Sequence, residues 1–98
     1  MVTFRAVIDS NGLADLQQAI NYYEEKQKGL GERFLYVVQL HVDIIAANPY
    51  YKVLYKDYRA LYVKKFPFIM VYYIVEKTNT VYISSIFHTS QNPDKLPL

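Results

Sequence analysis

From Leu13 onward, apolar residues recur at spacings of three and four, at Leu13, Leu16, Ile20 and Tyr23, with Asp15, Gln17, Gln18, Glu24 and Glu25 between them. That period predicts an amphipathic helix that begins after Asp9-Ser10-Asn11-Gly12 and stops near Gly29. A second stripe, Phe34, Val37, Val38, Ile44 and Ile45, predicts another helix running to about Asn48, where Pro49 ends it. The Gly29-Leu30-Gly31 hinge is so short that the two helices must lie antiparallel. Before them, Met1 to Ile8 is rich in Val, Phe and Ile and reads as a strand. After Pro49 the period changes to that of strands. Lys52 to Tyr55 reads as a short strand, Asp57 as a turn residue, and Tyr58 to Phe66 as a longer strand with Leu61 and Val63 on one face. Phe68 to Val75 is apolar on both faces, as a central strand should be. Glu76 to Thr80 makes a turn. A last strand, Val81 to Phe87, then puts Val81, Ile83 and Phe87 on one face and Tyr82, Ser84, Ile86 and His88 on the other. The predicted architecture is α+β, a helical hairpin on one face of an antiparallel three- to four-stranded sheet plus the N-terminal strand, in a single domain over residues 1–98. The other sheet face, with Ile69, Val71, Tyr73 and Ile86, is expected to be an exposed apolar patch that a partner or a second copy covers.

Composition agrees with a packed core, because 52% of the 98 residues are apolar and only 20% are charged. There is no cysteine, which removes disulfides, Cys-based zinc sites and thiol nucleophiles and points to the cytoplasm. The longest apolar run, Phe66 to Val75, is too short to cross a bilayer, so no membrane association is expected. The net charge of +2 hides an asymmetry: residues 1–48 carry four cations against six acids, and residues 49–98 carry seven against three. Eight of the eleven tyrosines also lie between Tyr50 and Tyr82. Lys52, Lys56, Arg59, Lys64 and Lys65, interleaved with Tyr50, Tyr51, Tyr55, Tyr58 and Tyr62, therefore read in two ways. They could hold single-stranded RNA through phosphate pairing and stacking, or they could be strand-forming tyrosines and lysines that guard sheet edges.

Gly-rich phosphate loops, paired metal-spaced histidines and the Gly-x-Ser-x-Gly elbow are all missing from the sequence. Nucleotide hydrolysis, zinc chemistry and serine hydrolysis thus have no local support. His41 falls within the second helix's apolar stripe and reads as a buried, locally bonded histidine. His88, ending the last strand, is either a site residue or a structural bond to the tail. Glu24 and Glu25 diverge by about 100° on a helix and read as a solvated face.

Several stretches together resemble the RelE/ParE superfamily of toxins from bacterial type II toxin–antitoxin modules, also called plasmid stabilisation proteins. They are Asp15 to Glu25, Gly29-Leu30-Gly31-Glu32-Arg33-Phe34, Asn48-Pro49, Lys65 to Tyr73, and Ile86-Phe87-His88-Thr89-Ser90-Gln91-Asn92-Pro93. The resemblance implies a growth-arresting toxin held inactive by a cognate antitoxin, with no cofactor or metal. It also implies one of two mechanisms. One branch cuts messenger RNA on the ribosome, the 2′-hydroxyl attacking the adjacent phosphate while basic and tyrosine side chains on the open sheet face move protons and stabilise charge. The other branch poisons DNA gyrase by contact. Nuclease relatives tend to carry lysines and an arginine where this chain has Ala60, Tyr62 and Ile69, and many have an arginine at Gln91. A nuclease here would have to use His88 as its catalytic acid or base, with Arg59, Tyr62, Lys64, Lys65 and Gln91 binding substrate. A decayed toxin that keeps only antitoxin binding is the remaining alternative, and a homodimer is one way to cover the open face.

Overall fold

The computed structural model describes residues 3–63 and 65–89. Two helices, α1 (Ser10–Lys26) and α2 (Leu30–Ala47), lie on one face of a five-stranded sheet. Its strands are β1 (Arg5–Ile8), β2 (Val53–Tyr55), β3 (Tyr58–Val63), β4 (Phe68–Val75) and β5 (Thr80–His88), in spatial order β1-β5-β4-β3-β2. Four strands form the expected antiparallel sheet, and the N-terminal strand joins its edge parallel to β5, pairing Val7 with Tyr82. That strand is shorter than its composition suggests, since Thr3 and Phe4 precede it and the Phe4 N–H donates to Ala46 O at the end of α2.

Asp9 caps α1, its carboxylate accepting from the Gly12 N–H at 3.0 Å. The helix therefore starts three residues before Leu13. Leu13 is exposed, as is Ile44 on α2, against the expectation from spacing alone. The reason is angular: successive residues turn by about 100°, so Leu13 stands well round from Gly12 and Ile44 well round from Ile45, outside the buried arcs. Those arcs are Gly12, Leu16 and Ala19 on α1 and Phe34, Val38, His41 and Ile45 on α2. His41 is buried within its arc as expected, its Nδ1–H donating to the Val37 carbonyl at 2.7 Å.

The helical hairpin is tied more tightly than its glycines alone suggest. Gly29 adopts φ 89°, a left-handed conformation that L side chains resist, and lets the chain turn. Gly31 is instead a contact point, because a Cβ there would come within 2.5 Å of Ile20 O on α1. The Glu24 carboxylate reaches across and accepts from the N–H groups of Gly29 (2.9 Å) and Gly31 (3.1 Å). It satisfies donors that the start of α2 would otherwise leave orphaned. Glu24 is thus a capping residue of the next helix, a correction to its reading as a merely solvated face.

The core lies between helices and sheet. Phe34, Val38, Ile45, Met70, Tyr72, Val81 and Ile83 have no measurable exposure. At one end, Tyr23, Phe34, Phe66 and Phe68 form an aromatic cluster with ring centroids 4.9–6.1 Å apart. At the other, the buried Tyr72 hydroxyl donates to Pro49 O at 2.8 Å, pinning the chain where it leaves α2. Burial pushes that hydroxyl up to about 12, with the backbone near Tyr51 and the Arg59 charge acting the other way.

Candidate functional site

The central pair of strands determines where each candidate side chain goes. Along β4 the core side is Phe68, Met70, Tyr72 and Ile74, and these pair with His88, Ile86, Ile83 and Val81 on β5. The register slips at Ser84: Val71 pairs with Ser85 and Tyr72 with Ile83, so one extra residue bulges out of β5. An inserted residue reverses the alternation beyond it. Ile86 and His88 therefore lie on the same face as Val81 and Ile83, the helix-covered one, and Phe87 lies on the opposite face. The expected assignment of Ile86 and His88 to the open face is overturned by this bulge.

Asp15 on α1 holds the bulge in place. Its Oδ2 accepts from both the Ser85 hydroxyl and the Ile86 N–H, each at 3.0 Å. Sequence reasoning treated Asp15 only as one of α1's outward polar residues. Its spacing carried the signal, because Gly12, Asp15, Leu16 and Ala19 stand at i, i+3, i+4 and i+7 on the buried stripe. Beside it opens a cleft of about 430 Å³ lined by Asp15, Gln18, Tyr22, Phe68, Ile86 and His88. The His88 ring stands edge-on to Phe68, with centroids 4.9 Å apart.

The other candidates do not converge on His88. Arg59 pairs with Tyr72 and so shares the helix-side parity, at the far end of β3. Its guanidinium donates to Tyr51 O at 2.7 Å and stands over the Tyr50 ring, 5.3 Å from the centroid. Tyr62 pairs with Ile69 on the open face and is 65% exposed. Lys65 is exposed in the β3–β4 turn with φ 74°. Lys64 and Gln91 lie outside the described residues. Tyr62, Lys65 and His88 thus share one end of the sheet, with Tyr62 and His88 on opposite faces and Arg59 at the other end.

The open face is aromatic and uncharged where β3, β4 and β5 cross it. Tyr58, Tyr73 and Tyr82 form a row across three strands, Tyr73 stacked on Tyr82 (5.4 Å, 24°) and edge-on to Tyr58 (5.8 Å, 77°). Burial raises the Tyr73 hydroxyl pKa, reinforced by Asp9, Tyr58 and Tyr82. Ala60, Tyr62, Ile69, Val71, Val75, Thr80 and Phe87 also lie on this face and none of these side chains is cationic, while Arg5 of β1, paired with Thr80, stands at its edge. The expected exposed patch of Ile69, Val71, Tyr73 and Ile86 is absent, because Ile86 packs under the helices and Val71 has no exposure. Tyr62 is the exposed large side chain of this face, and the other exposed apolar side chains lie on Leu13 and Tyr22 of α1, Tyr36, Leu40 and Ile44 of α2, and Tyr50, Tyr51, Val53, Leu54 and Tyr55.

Among the described residues, no three His, Asp or Glu side chains are gathered as a metal would require, and no helix is long and apolar enough to cross a membrane. A family model described as the ParE toxin of type II toxin–antitoxin systems, parDE, matches residues 9–93. Two similar solved structures are a chain of the chromosomal ParDE toxin–antitoxin system from P. aeruginosa and a chain of the RelBE2 toxin–antitoxin complex from Mycobacterium tuberculosis. The first has 14% identity and a TM-score of 0.77, covering 90% of this chain and 98% of its own. The second has 18% identity and a TM-score of 0.68, covering 93% and 97%. No curated protein sequence matches the chain.

Proposed function

The chain belongs to the ParE toxin family of type II toxin–antitoxin systems, and from that premise we propose that it arrests growth in the cytoplasm by contact with its target rather than by cutting RNA. The open face of β3, β4 and β5 carries this reading. Metal-independent RNA cleavage needs donors aimed at the charge that builds on phosphorus, each commonly worth a few kcal/mol of barrier. At Tyr58, Ala60, Tyr62, Ile69, Tyr73 and Tyr82, all at least partly exposed, the face offers aromatic and aliphatic surface and no cation, with Val71 and Phe87 buried beneath it. Such a surface suits protein–protein recognition, where tyrosine is enriched. DNA gyrase is the target that the family resemblance suggests, with Tyr62 and Lys65 as exposed contact residues. The fold shared with chains of ParDE and RelBE2 toxin–antitoxin assemblies supports a cognate antitoxin as the partner that holds the chain inactive.

The test is induced expression of the chain without antitoxin, following growth, plasmid supercoiling and messenger RNA ends in the wild type and in His88→Ala. The expected result is arrest with altered supercoiling, intact messages, and no rescue by His88→Ala. New cuts inside codons that disappear in His88→Ala would replace this reading with the ribosome-dependent nuclease. Normal growth would leave the decayed toxin.

A further inference from the structure

The cleft beside Asp15 has two walls of different origin. On one side α1 presents Asp15, Gln18, Ala19 and Tyr22, which stand at i, i+3, i+4 and i+7 and so share one helix face. On the other are Ile86 of β5 and the strand pair Phe68–His88. The volume of about 430 Å³ lies within the roughly 300–1,000 Å³ usual for small-molecule sites. Ala19, Phe68 and Ile86 are buried, Asp15 and His88 half-buried, and Gln18 and Tyr22 exposed. Apolar surface with a few polar groups converging on it is how such sites are generally composed. The cleft is on the helix-covered side of the sheet, apart from the open face that carries the toxin reading.

Its electrostatics select the sign of the ligand. Among the described residues, Asp15 is the one carboxylate of the lining, and neither Lys nor Arg contributes to it. The Ser85 hydroxyl and the Ile86 N–H both donate to Asp15 Oδ2, and Oδ1 accepts no hydrogen bond from the described residues. A carboxylate fixed beside apolar surface attracts a cation more strongly than one surrounded by water. Tyr22 acts in the same direction. Its ring already holds the Lys26 ammonium 5.2 Å from the centroid, so it serves a cation within the molecule itself. An anion would be repelled by Asp15, and a neutral apolar molecule would desolvate Oδ1 without giving it a donor. An ammonium carrying an apolar group meets both demands, its charge on Asp15 Oδ1 and its apolar part against Phe68 and Ile86. We propose that this cleft is a binding site for a small primary amine bearing an aryl or alkyl group.

The probes are phenethylamine, its uncharged analogue phenethyl alcohol, and the anion hydrocinnamate, each titrated at fixed ionic strength into the isotope-labelled full chain. Amide shifts in the NMR spectrum give both affinity and location. Phenethylamine should bind with a Kd on the order of millimolar or tighter and move the resonances of Asp15, Ala19, Ile86 and His88. It should bind roughly tenfold or more tightly than the alcohol, and hydrocinnamate should not bind. Asp15→Asn keeps a carbonyl oxygen for the Ser85 and Ile86 donors while deleting the charge, so amine and alcohol should bind it equally. Should that variant lose its native circular dichroism, the exposed Lys26→Gln carries the test. Removing the ammonium that competes for Tyr22 should tighten the amine about twofold or more and leave the alcohol unchanged. Equal affinity of the wild type for amine and alcohol, tighter binding of hydrocinnamate, shifts centred outside the cleft, or no saturation by the amine in the millimolar range would overturn the proposal. So would binding of N-acetyl-lysine amide more tightly than phenethylamine, since the occupant would then be a lysine side chain of a partner protein.

Discussion

Two aromatic regions of this molecule are built from the same residue types and end in opposite states. Tyr23, Phe34, Phe66 and Phe68 meet ring to ring between the helices and the sheet, while Tyr50, Tyr51, Val53, Leu54 and Tyr55 face solvent along β2 and the segment that leads into it. Local propensity does not separate them, for both are rich in good strand or core formers. Position in the topology does. Phe68 opens β4, which has neighbours on both sides and two helices above it, whereas β2 is three residues long with one neighbour. Apolar residues in the first region stabilise the fold. In the second they stay on the surface.

The comparison breaks most easily at Phe34, which has no exposure and touches three other rings at 4.9–5.1 Å. Phe34→Ala should cost about 3–5 kcal/mol. For a chain of this size that lowers Tm by at least about 12 °C, read by thermal or urea unfolding. A loss under about 1 kcal/mol would mean that the cluster is less packed than its ring distances imply.

Asp15 sharpens the comparison, because it links the helix layer to the bulge between β4 and β5. Asp15→Ala leaves the Ile86 N–H and the Ser85 hydroxyl without their shared carboxylate acceptor. Charged hydrogen bonds of this kind are worth about 1.5–3 kcal/mol, and the variant should lose that much in urea unfolding. Amide exchange should also rise first at Ser85 and Ile86.

The bulge at Ser84 marks the boundary of what the sequence could tell. Both helices, the central strand and the late hairpins follow from spacing and turn residues, and His41 was readable from its place in the α2 stripe. Strand alternation, however, was carried without interruption from Val81 to His88. One inserted residue, held by an acid seventy positions away, turned Ile86 and His88 to the other face. Glu24 was missed for a similar reason, since its partners are donors on the next helix. Pairing direction is also invisible to periodicity, so β1 could be predicted as a strand but not placed parallel to β5. Candidate residues suffered more than the fold because a face assignment depends on every residue between it and the last fixed point.

Tyr72 tests the sheet end nearer the exposed region. Removing its hydroxyl in Tyr72→Phe leaves Pro49 O with the Tyr51 N–H as its remaining donor and should cost about 0.5–1.5 kcal/mol. The pH dependence has a definite sign. The folded-state pKa, about 12, lies above the ordinary tyrosine value of 10.0, so between those values the unfolded chain releases a proton that the native chain keeps. Stability from this group is full below pH 10 and declines as pH rises toward 12. Tyr23 and Tyr73 are shifted in the same direction, so Tyr72→Phe should flatten the alkaline decline without removing it. Urea midpoints at pH 8, 10 and 11.5 in both proteins measure the difference.

The smallest effect is expected at Leu54, in the middle of β2. The side chain is 42% exposed, so replacing it with serine removes little buried apolar area and creates no cavity. Leu54→Ser should keep the unfolding free energy within about 0.5 kcal/mol of wild type, a small fraction of the Phe34→Ala loss although both changes delete a large apolar side chain. What should change is behaviour at high concentration. An exposed apolar strand at an open edge invites association, so light scattering from concentrated protein should fall in Leu54→Ser while the urea midpoint stays put. Should the midpoint drop by as much as in Tyr72→Phe, β2 would belong to the cooperative core, and the contrast between a packed region and an exposed edge would disappear.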